Sequence, residues 1–496
     1  MLASIFNIQN RFLSSKSPKE KKQLGQFFTS PEVSEFMASL INVEVLLDSP
    51  FKILDAGAGM GILSAAASLE CLERGIIVIH VEAYELDPLA IEFLKMTYDS
   101  LVNFFALSGA TFTYRINTDD FVLNPPYQSN SFNGFDLSVI NPPYFKYSST
   151  ESPYNEATKS FYKGNPNIYA SFMAITLACL KSHGQLIVIV PRSFTNGLYF
   201  KGFRGYMLNN SSLEMVHIFV KRNEVFKDVA VLQENIICNF IKKNQSDQII
   251  ISSSNSISDV KKSVTHVYST SLIFDTSNEQ KIIRIPEGKE QSDILELAEY
   301  LPTTFTDAGY FISTGPVVEF RTKEFHTTEL NYAVPIIMPH NFNDSIISWD
   351  GTHKKDLAFL LKGKFESHLL KNKIYVLLKR ITSKDENKRL VANVYLPEKY
   401  PSVGISNKVN YLGLQNDELS IEEATGLSAF FNSTFMDKYF RCISGNTQVN
   451  SNEVRLLKFP ERPAIKSLGK KIIKNNINSQ EIIDKLVLNI ININKR

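Results

Sequence analysis

Residues 51–61 read FKILDAGAGMG: a short apolar run ends in an acid and turns through three glycines before the helix-forming stretch LSAAASLECLERG at 63–75. A glycine-rich turn between strand and helix needs backbone conformations and close approaches that side chains forbid, and it commits this part of the chain to a parallel sheet with crossover helices. The same alternation continues. IIVIHVEAYEL (76–86), the stretch before Asp120, FDLSVI (135–140) and GQLIVIVP (184–191) predict further strands. Upstream, Thr29-Ser30-Pro31-Glu32 offers an N-cap, a proline at the first helical position and an acid in the first turn, with Val33, Phe36, Met37, Leu40 and Ile41 following at helical spacing. NIYASFMAITLACLKSHG (167–184) predicts another helix, closed by its glycine.

At 496 residues the chain is too long for one ordinary domain. After about 242 its texture becomes rich in Ser and Asn, and beyond about 290 short strands such as IYVLLKRI (374–381) mix with helices such as SIEEATGLSAFFNSTFMDKYF (420–440). The expected division is an α/β domain at 1–289 and an α+β domain at 290–496. No apolar run approaches the roughly 20 residues of a membrane helix, and no signal-peptide pattern opens the chain, so a soluble, cytoplasmic protein is expected. Cys71, Cys179, Cys238 and Cys442 stand far apart without a CxxC pair, which suits buried thiols in a reducing compartment and gives no expectation of a metal. A net charge of +2 does not announce a nucleic-acid partner. Any basic surface is local, as at 362–389, where nine Lys and Arg face three acids.

The glycine turn differs from a dinucleotide fingerprint because Asp55 precedes its first glycine and would repel a pyrophosphate. S-adenosylmethionine carries an ammonium, a sulfonium and no phosphate, so an acid at that place favours it. Glu85, at the end of the next strand, is placed to accept both ribose hydroxyls. Asp120 follows the third strand and can accept from an adenine amino group, with Phe121 behind the ring; the adjacent Asp119 reads as a solvated turn residue.

The string Asn-Pro-Pro-Tyr occurs twice, at 124–127 and at 141–144. Asn124 comes four residues after Asp120, about 13 Å of extended chain at ~3.3 Å per residue, too little to cross the sheet and return on a new strand. Asn141 follows FDLSVI directly and is the copy expected to do chemistry. A planar amino nitrogen attacks poorly because its lone pair is delocalised, and two acceptors on its hydrogens localise that pair. The Asn141 side-chain oxygen and the Pro142 carbonyl can serve, Pro142 and Pro143 stiffen the backbone, and Tyr144 offers a face for a base swung out of a duplex. A glutamine amide poses the same problem, so the tetrapeptide alone leaves nucleic acid and protein substrates open.

Taken in order, GQFFTSPEV (25–33), ILDAGAGMG, YELDP, DDF and INPPYF, followed by a carboxyl-terminal recognition domain, resemble the gamma class of adenine-specific DNA methyltransferases of Type II restriction–modification systems. The resemblance implies a Rossmann-like sheet of the class I S-adenosylmethionine-dependent methyltransferases with a second, α+β DNA-recognition domain. It implies that Thr29 and Phe27 or Phe28 close over the cofactor, that Asp55, Ala56, Gly57 and Ala58 line it, and that Glu85 holds the ribose. It places Asp120 and Phe121 at the adenine ring, Asn141, Pro142 and Pro143 around the target amino group, and Tyr144 and Phe226 on the two faces of the flipped base. In the second half, Lys379 and Arg380 suit phosphate or guanine contacts, and Asn446, Thr447, Gln448 and Asn450 offer groups that read base edges or hold a loop.

The expected function is therefore methylation of an adenine amino group in double-stranded DNA by a monomer, as the modification half of a system with a separately acting restriction endonuclease. The alternatives are a methyltransferase for RNA or a protein glutamine amide, and a DNA-binding protein with a vestigial fold. The basic and amide-rich second half disfavours the first. The intact set Asp55, Glu85, Asp120 and Asn141 disfavours the second.

Overall fold

The computed structural model describes residues 2, 5–6, 29–42, 49–129, 132–148, 151–164, 167–220, 234–274, 280–328, 332–343, 346–347, 349, 351, 353–361, 366–382, 386–397, 399–445 and 447–494. The chain divides into two compact units, Met1–Glu287 and Gly288–Arg496. The first is built on one sheet of nine strands: β1 (Phe51–Ala56), β2 (Val78–Tyr84), β3 (Thr111–Asn117), β4 (Phe135–Ile140), β5 (Leu180–Pro191), β6 (Ser212–Phe219), β7 (Asn235–Ile241), β8 (Gln248–Ser254) and β9 (Val264–Ser269). Their spatial order is β3-β2-β1-β4-β5-β7-β6-β8-β9. The first five run parallel, and β7 enters antiparallel between β5 and β6. The order reverses between β1 and β4, so a crevice opens at their carboxyl ends.

Local sequence explains how these elements start and stop. The helix Pro31–Ser39 begins where the Ser30 hydroxyl accepts from Val33 N at 3.4 Å with proline at its first position, and it buries Val33, Phe36 and Met37. The helix Ile62–Glu73 springs directly from Gly61, whose φ of 78° and proximity to Leu94, 2.6 Å from a hypothetical Cβ, leave room only for glycine. Strand β4 is wholly buried although it carries Asp136 and Ser138. Both polar side chains latch neighbouring segments: Asp136 accepts from Lys52 N at 2.8 Å and Lys181 Nζ at 2.7 Å, and Ser138 donates to Leu54 O at 2.8 Å.

One expectation is corrected. The helix predicted to reach Gly184 ends at Cys179, because Leu180 already pairs with Phe135 and opens β5; Gly184 lies within the strand. The Ser-rich stretch after 242 extends the sheet as β8 and β9, with the Ser252 and Ser254 hydroxyls held by the two ring nitrogens of buried His217 at 2.9 and 3.1 Å. All four cysteines are free and buried. Among the described residues no helix is long and apolar enough to cross a membrane.

Among the described residues the second unit holds a two-stranded pairing of Thr303–Thr304 with Lys458–Phe459 and two larger sheets. One runs, in spatial order, through Tyr310–Thr314, Val409–Leu414, Tyr375–Lys379, Ala392–Tyr395, Ile346–Ile347 and Phe342–Asn343; the other runs through His326–Thr327, Leu357–Leu360, Ala333–Ile337, Ser402–Ile405 and Leu369–Lys371. Helices Ile421–Phe431 and Arg462–Lys474 cross with a glycine on each contact face. A Cβ on Gly469 would collide with the Glu422 carbonyl, and one on Gly426 with that of Ile465. Gly469→Ala therefore has to push the two helices apart, and overpacking of this kind costs about 1–3 kcal/mol. Thermal unfolding of the full chain should show a lowered transition, and an unchanged one would contradict the backbone contact.

Candidate active site

The turn after β1 is held by backbone bonds to the end of β2: Gly57 N and Ala58 N both donate to Tyr84 O, at 3.0 and 2.9 Å. Gly57 has φ 77°, and a Cβ there would sit 3.4 Å from Phe172 and 3.8 Å from Pro143. The glycine turn thus lies against both the helix Ile168–Cys179 and the tetrapeptide that follows β4. Asp55, on the penultimate position of β1, is 1% exposed, and its Oδ2 accepts no hydrogen bond. Burial pushes its carboxyl up to about 7, with Ser64 opposing and the Glu85 charge adding to the rise.

Glu85 closes the next side of the crevice. Its Oε2 accepts from Gly59 N at 2.7 Å, and its Oε1 accepts from Leu86 N and Asp87 N at 2.9 and 2.8 Å. One carboxylate therefore fixes the glycine turn to the start of the helix Pro88–Leu107. Burial raises its pKa, and the three backbone donors oppose the rise.

Asp120 shapes the turn beyond β3. Oδ1 accepts from Val122 N and Leu123 N at 2.9 and 3.1 Å, while Oδ2 accepts from the Tyr154 hydroxyl at 2.7 Å. Asp119 is exposed. Phe121 is buried, its ring 5.1 Å from that of Tyr84 and 5.3 Å from that of Phe172, so the three rings form a wall behind the turn.

The two tetrapeptides occupy different environments. Asn124 is exposed in a turn, its backbone N–H bonded to Asp120 O at 2.8 Å, and Pro126–Gln128 is a single 3-10 turn. Asn141 follows β4 directly. Its Nδ2 donates to Thr29 Oγ1 at 3.1 Å, and its Oδ1 accepts from the Tyr144 hydroxyl at 2.8 Å. That hydroxyl also reaches Ile189 O on β5 at 2.9 Å, and the Tyr144 ring stands edge-on to Tyr169 at 6.2 Å. Pro142 is buried and Pro143 half-buried.

Thr29, Asp55, Ala56, Gly57, Ala58, Glu85, Asp120, Phe121 and Asn141 to Tyr144 are thus assembled around the carboxyl ends of the parallel strands β1 to β4. Phe27, Phe28 and Phe226 lie outside the described residues. Two partners escaped the reading of the sequence, the Tyr154 hydroxyl on Asp120 and the Ile189 carbonyl on Tyr144. Neither carries a motif, and only the fold brings it there.

In the second unit, Arg380 and Gln448 are bonded to each other, the guanidinium donating to Gln448 Oε1 at 3.0 Å and to Asn407 O at 2.9 Å. Thr447 is exposed beside them, its carbonyl accepting from Thr382 N at 3.2 Å, and Lys379 Nζ lies 5.4 Å over the Phe342 ring. Asn450 holds the loop by capping the helix Ser451–Arg455. Asn446 lies outside the described residues. The basic run at 362–389 is not one solvated stripe: Arg389 is fully buried, Lys388 donates to Asn432 O and Gln480, and Lys371 pairs with Glu418 at 2.9 Å.

Residues 107–226 match the family of the Eco57I restriction-modification methylase. Over 484 residues the chain is 34% identical to the Type II methyltransferase M.BsuBI of Bacillus subtilis, covering 94% of both chains. Over 461 residues it is 34% identical to the Type II methyltransferase M.PstI of Providencia stuartii, covering 91% of this chain and 90% of that one. Its fold resembles that of the Type IIL restriction-modification enzyme MmeI, solved in complex with DNA, with a TM-score of 0.55 over 98% of this chain and 75% of that one at 13% identity. With a matching methylase family and identity of this level along nearly its whole length, the chain belongs to the Type II methyltransferases of restriction–modification systems.

Proposed function

We propose that this methyltransferase modifies DNA site-specifically, moving the methyl group of S-adenosylmethionine to the exocyclic amino group of an adenine flipped from the duplex. The cognate restriction endonuclease acts as a separate protein. The observation that carries the reading is the Asn141 side chain, oriented by Thr29 and Tyr144 at the end of β4 and beside the glycine turn.

The residues of the crevice fit this cofactor. Asp55 Oδ2 is a buried acceptor without a donor, and Glu85 and Asp120 bring two more carboxylates, a set that favours a cationic ligand over a phosphate. When bound, S-adenosylmethionine supplies a methyl carbon activated by its sulfonium. Asp55 would hold the ammonium, Glu85 would accept from a ribose hydroxyl, and Asp120 would accept from the adenine amino group beside Phe121.

At the target, Asn141 Oδ1 and the Pro142 carbonyl accept the two amino hydrogens and localise the nitrogen lone pair. Thr29 takes the Nδ2 hydrogen, so the amide cannot turn its nitrogen toward the base. The Tyr144 hydroxyl leaves Asn141 Oδ1 without becoming an orphan, because Ile189 O already shares its proton. Tyr144 and Phe226 then stack on the base. The amino group sheds a proton only after it becomes cationic, so no general base acts beforehand. Methylation of a ring carbon in cytosine would require a thiolate, and burial pushes the Cys71 and Cys179 thiols up to about 12.

Methylated adenines mapped in DNA from cells expressing the protein should share one sequence context; label appearing in RNA or protein instead would overturn the reading. Asn141→Ala should lower the transfer rate by about a hundredfold or more while cofactor binding persists, and Asn124→Ala should leave both near wild type. Equal losses in single-turnover assays would refute the choice of copy. Protonation of Asp55 removes its attraction for the ammonium, so cofactor affinity measured by calorimetry should weaken as pH falls from about 7.5 to 6, approaching tenfold per unit below about 7. A flat profile would remove Asp55 from that role.

A further inference from the structure

Three side chains in the second unit converge without any part in methyl transfer. One ring nitrogen each of His340 and His353 and a carboxylate oxygen of Asp356 lie within 4.8 Å of one another. Asp356 is buried, His340 half-buried and His353 exposed, so the cluster has a closed floor and an open mouth. Asp356 Oδ1 accepts from His340 Nε2 at 2.8 Å and from Asn341 Nδ2 at 2.9 Å, and its Oδ2 accepts from His353 N at 3.3 Å. The two imidazoles stack at 4.5 Å with 25° between their planes. That stacking keeps a His353 ring nitrogen within 4.8 Å of the carboxylate, although the ring itself gives Asp356 no hydrogen bond.

We propose that His340, His353 and Asp356 bind a divalent transition ion of the zinc class. Two imidazole nitrogens and one carboxylate are the ligands such an ion prefers, whereas magnesium and calcium favour all-oxygen shells. Three protein ligands leave a fourth position for water. The ion takes the place of the proton now between His340 Nε2 and Asp356 Oδ1. Asn341 remains as an outer support, donating to the carboxylate while its own Oδ1 accepts from Met338 N at 2.8 Å. His353 Nδ1 now accepts from Lys355 N at 3.1 Å; that residue is exposed, so water replaces the bond when the imidazole turns to the ion.

The position of the cluster gives the ion a task. Ala333–Ile337 and Leu357–Leu360 are neighbouring antiparallel strands, and the chain between them leaves to add Phe342–Asn343 and Ile346–Ile347 to the other sheet through the pairing of Ile346 with Val394. His340 stands where this excursion departs and Asp356 where it returns, so an ion bound to both ties its root. Phe342, two residues beyond His340, is the ring beneath Lys379 Nζ. The ion thereby fixes the support of a lysine expected to face phosphate.

The full-length chain, stripped with a chelator, would be titrated with Zn²⁺ by calorimetry and with Co²⁺ by visible absorption. The expected result is one ion per chain, a Co²⁺ spectrum showing nitrogen coordination, and a Zn²⁺-dependent rise in the melting temperature. His353→Ala changes an exposed residue and Asp356→Asn keeps an acceptor in the buried position, so both should fold. Each should weaken binding by at least about a hundredfold and abolish the thermal shift, while His183→Ala in the first unit changes neither. No binding at one ion per chain, or binding that His353→Ala leaves intact, would reduce the cluster to a hydrogen-bonded turn and overturn the proposal.

Discussion

Everything in the first unit depends on β1 and β4 lying side by side while the chain leaves them toward opposite edges of the sheet. From β1 it winds outward through β2 and β3, and from β4 it winds the other way through β5. The loops at the two carboxyl ends therefore diverge and leave a crevice between them. Gly57 shapes the contact there through its backbone: at φ 77° it takes a left-handed conformation that L side chains rarely adopt, and the turn after β1 rests beside Pro143 and Phe172. Carboxylates from one direction and the Asn141 amide from the other meet across that contact.

That crevice was legible in the sequence because its parts are local. An apolar run, a glycine turn and an acid at the strand's end are written within eleven residues, and the reach of an extended chain was enough to put Asn124 in the turn after β3 and Asn141 at the end of β4. The stop of the helix at Cys179 was not legible, since only the pairing of Leu180 with Phe135, some 45 residues away, ends it. The same holds for Tyr154 on Asp120 and for Asp136 under Lys181. Such partners are set by tertiary placement, and residue type at a fixed spacing carries no trace of them. Arg204 shows the limit most clearly: its guanidinium is fully buried, has no carboxylate partner among the described residues, and donates to the carbonyls of Phe194, Asn196, Gly197 and Gln280.

In the second unit composition misled where burial decides. The run at 362–389 counts as strongly basic, yet Arg389 is internal, with one terminal nitrogen on Thr382 O at 2.8 Å and its guanidinium 5.7 Å from the Phe440 ring. What remains is narrower and better organised. Strand Tyr375–Lys379 delivers Lys379 and Arg380 to the turn at 447–448, where the isolated pairing of Ile381 with Gln448 and the bond from Arg380 to Gln448 join two segments distant in sequence. A lysine resting on an aromatic ring and an arginine braced by an amide lose less freedom on meeting a ligand than free side chains would. Arrangement on a strand, more than charge count, sets this strip apart from the rest of the run.

The buried acid at the heart of the crevice works against folding, and the sign of the effect is informative. Asp55 titrates at about 7 in the folded chain against 3.8 for the free group. A carboxyl with a raised folded pKa stabilises fully below the unfolded value, and that stability is lost as pH rises through about 7. Near neutrality, and above it, charging Asp55 thus costs on the order of 4 kcal/mol relative to an unperturbed carboxyl. Glu85 adds to the strain through its own charge, since the two acids repel. A core position filled only for stability would carry an apolar residue, as Leu54 and Ala56 do on either side. Retaining an unpaired acid here makes physical sense if a cation arrives to pair with it, because the attraction then acts in a dry site where it is strongest. The same burial that destabilises the crevice makes its charge unfavourable to a phosphate and favourable to a cation.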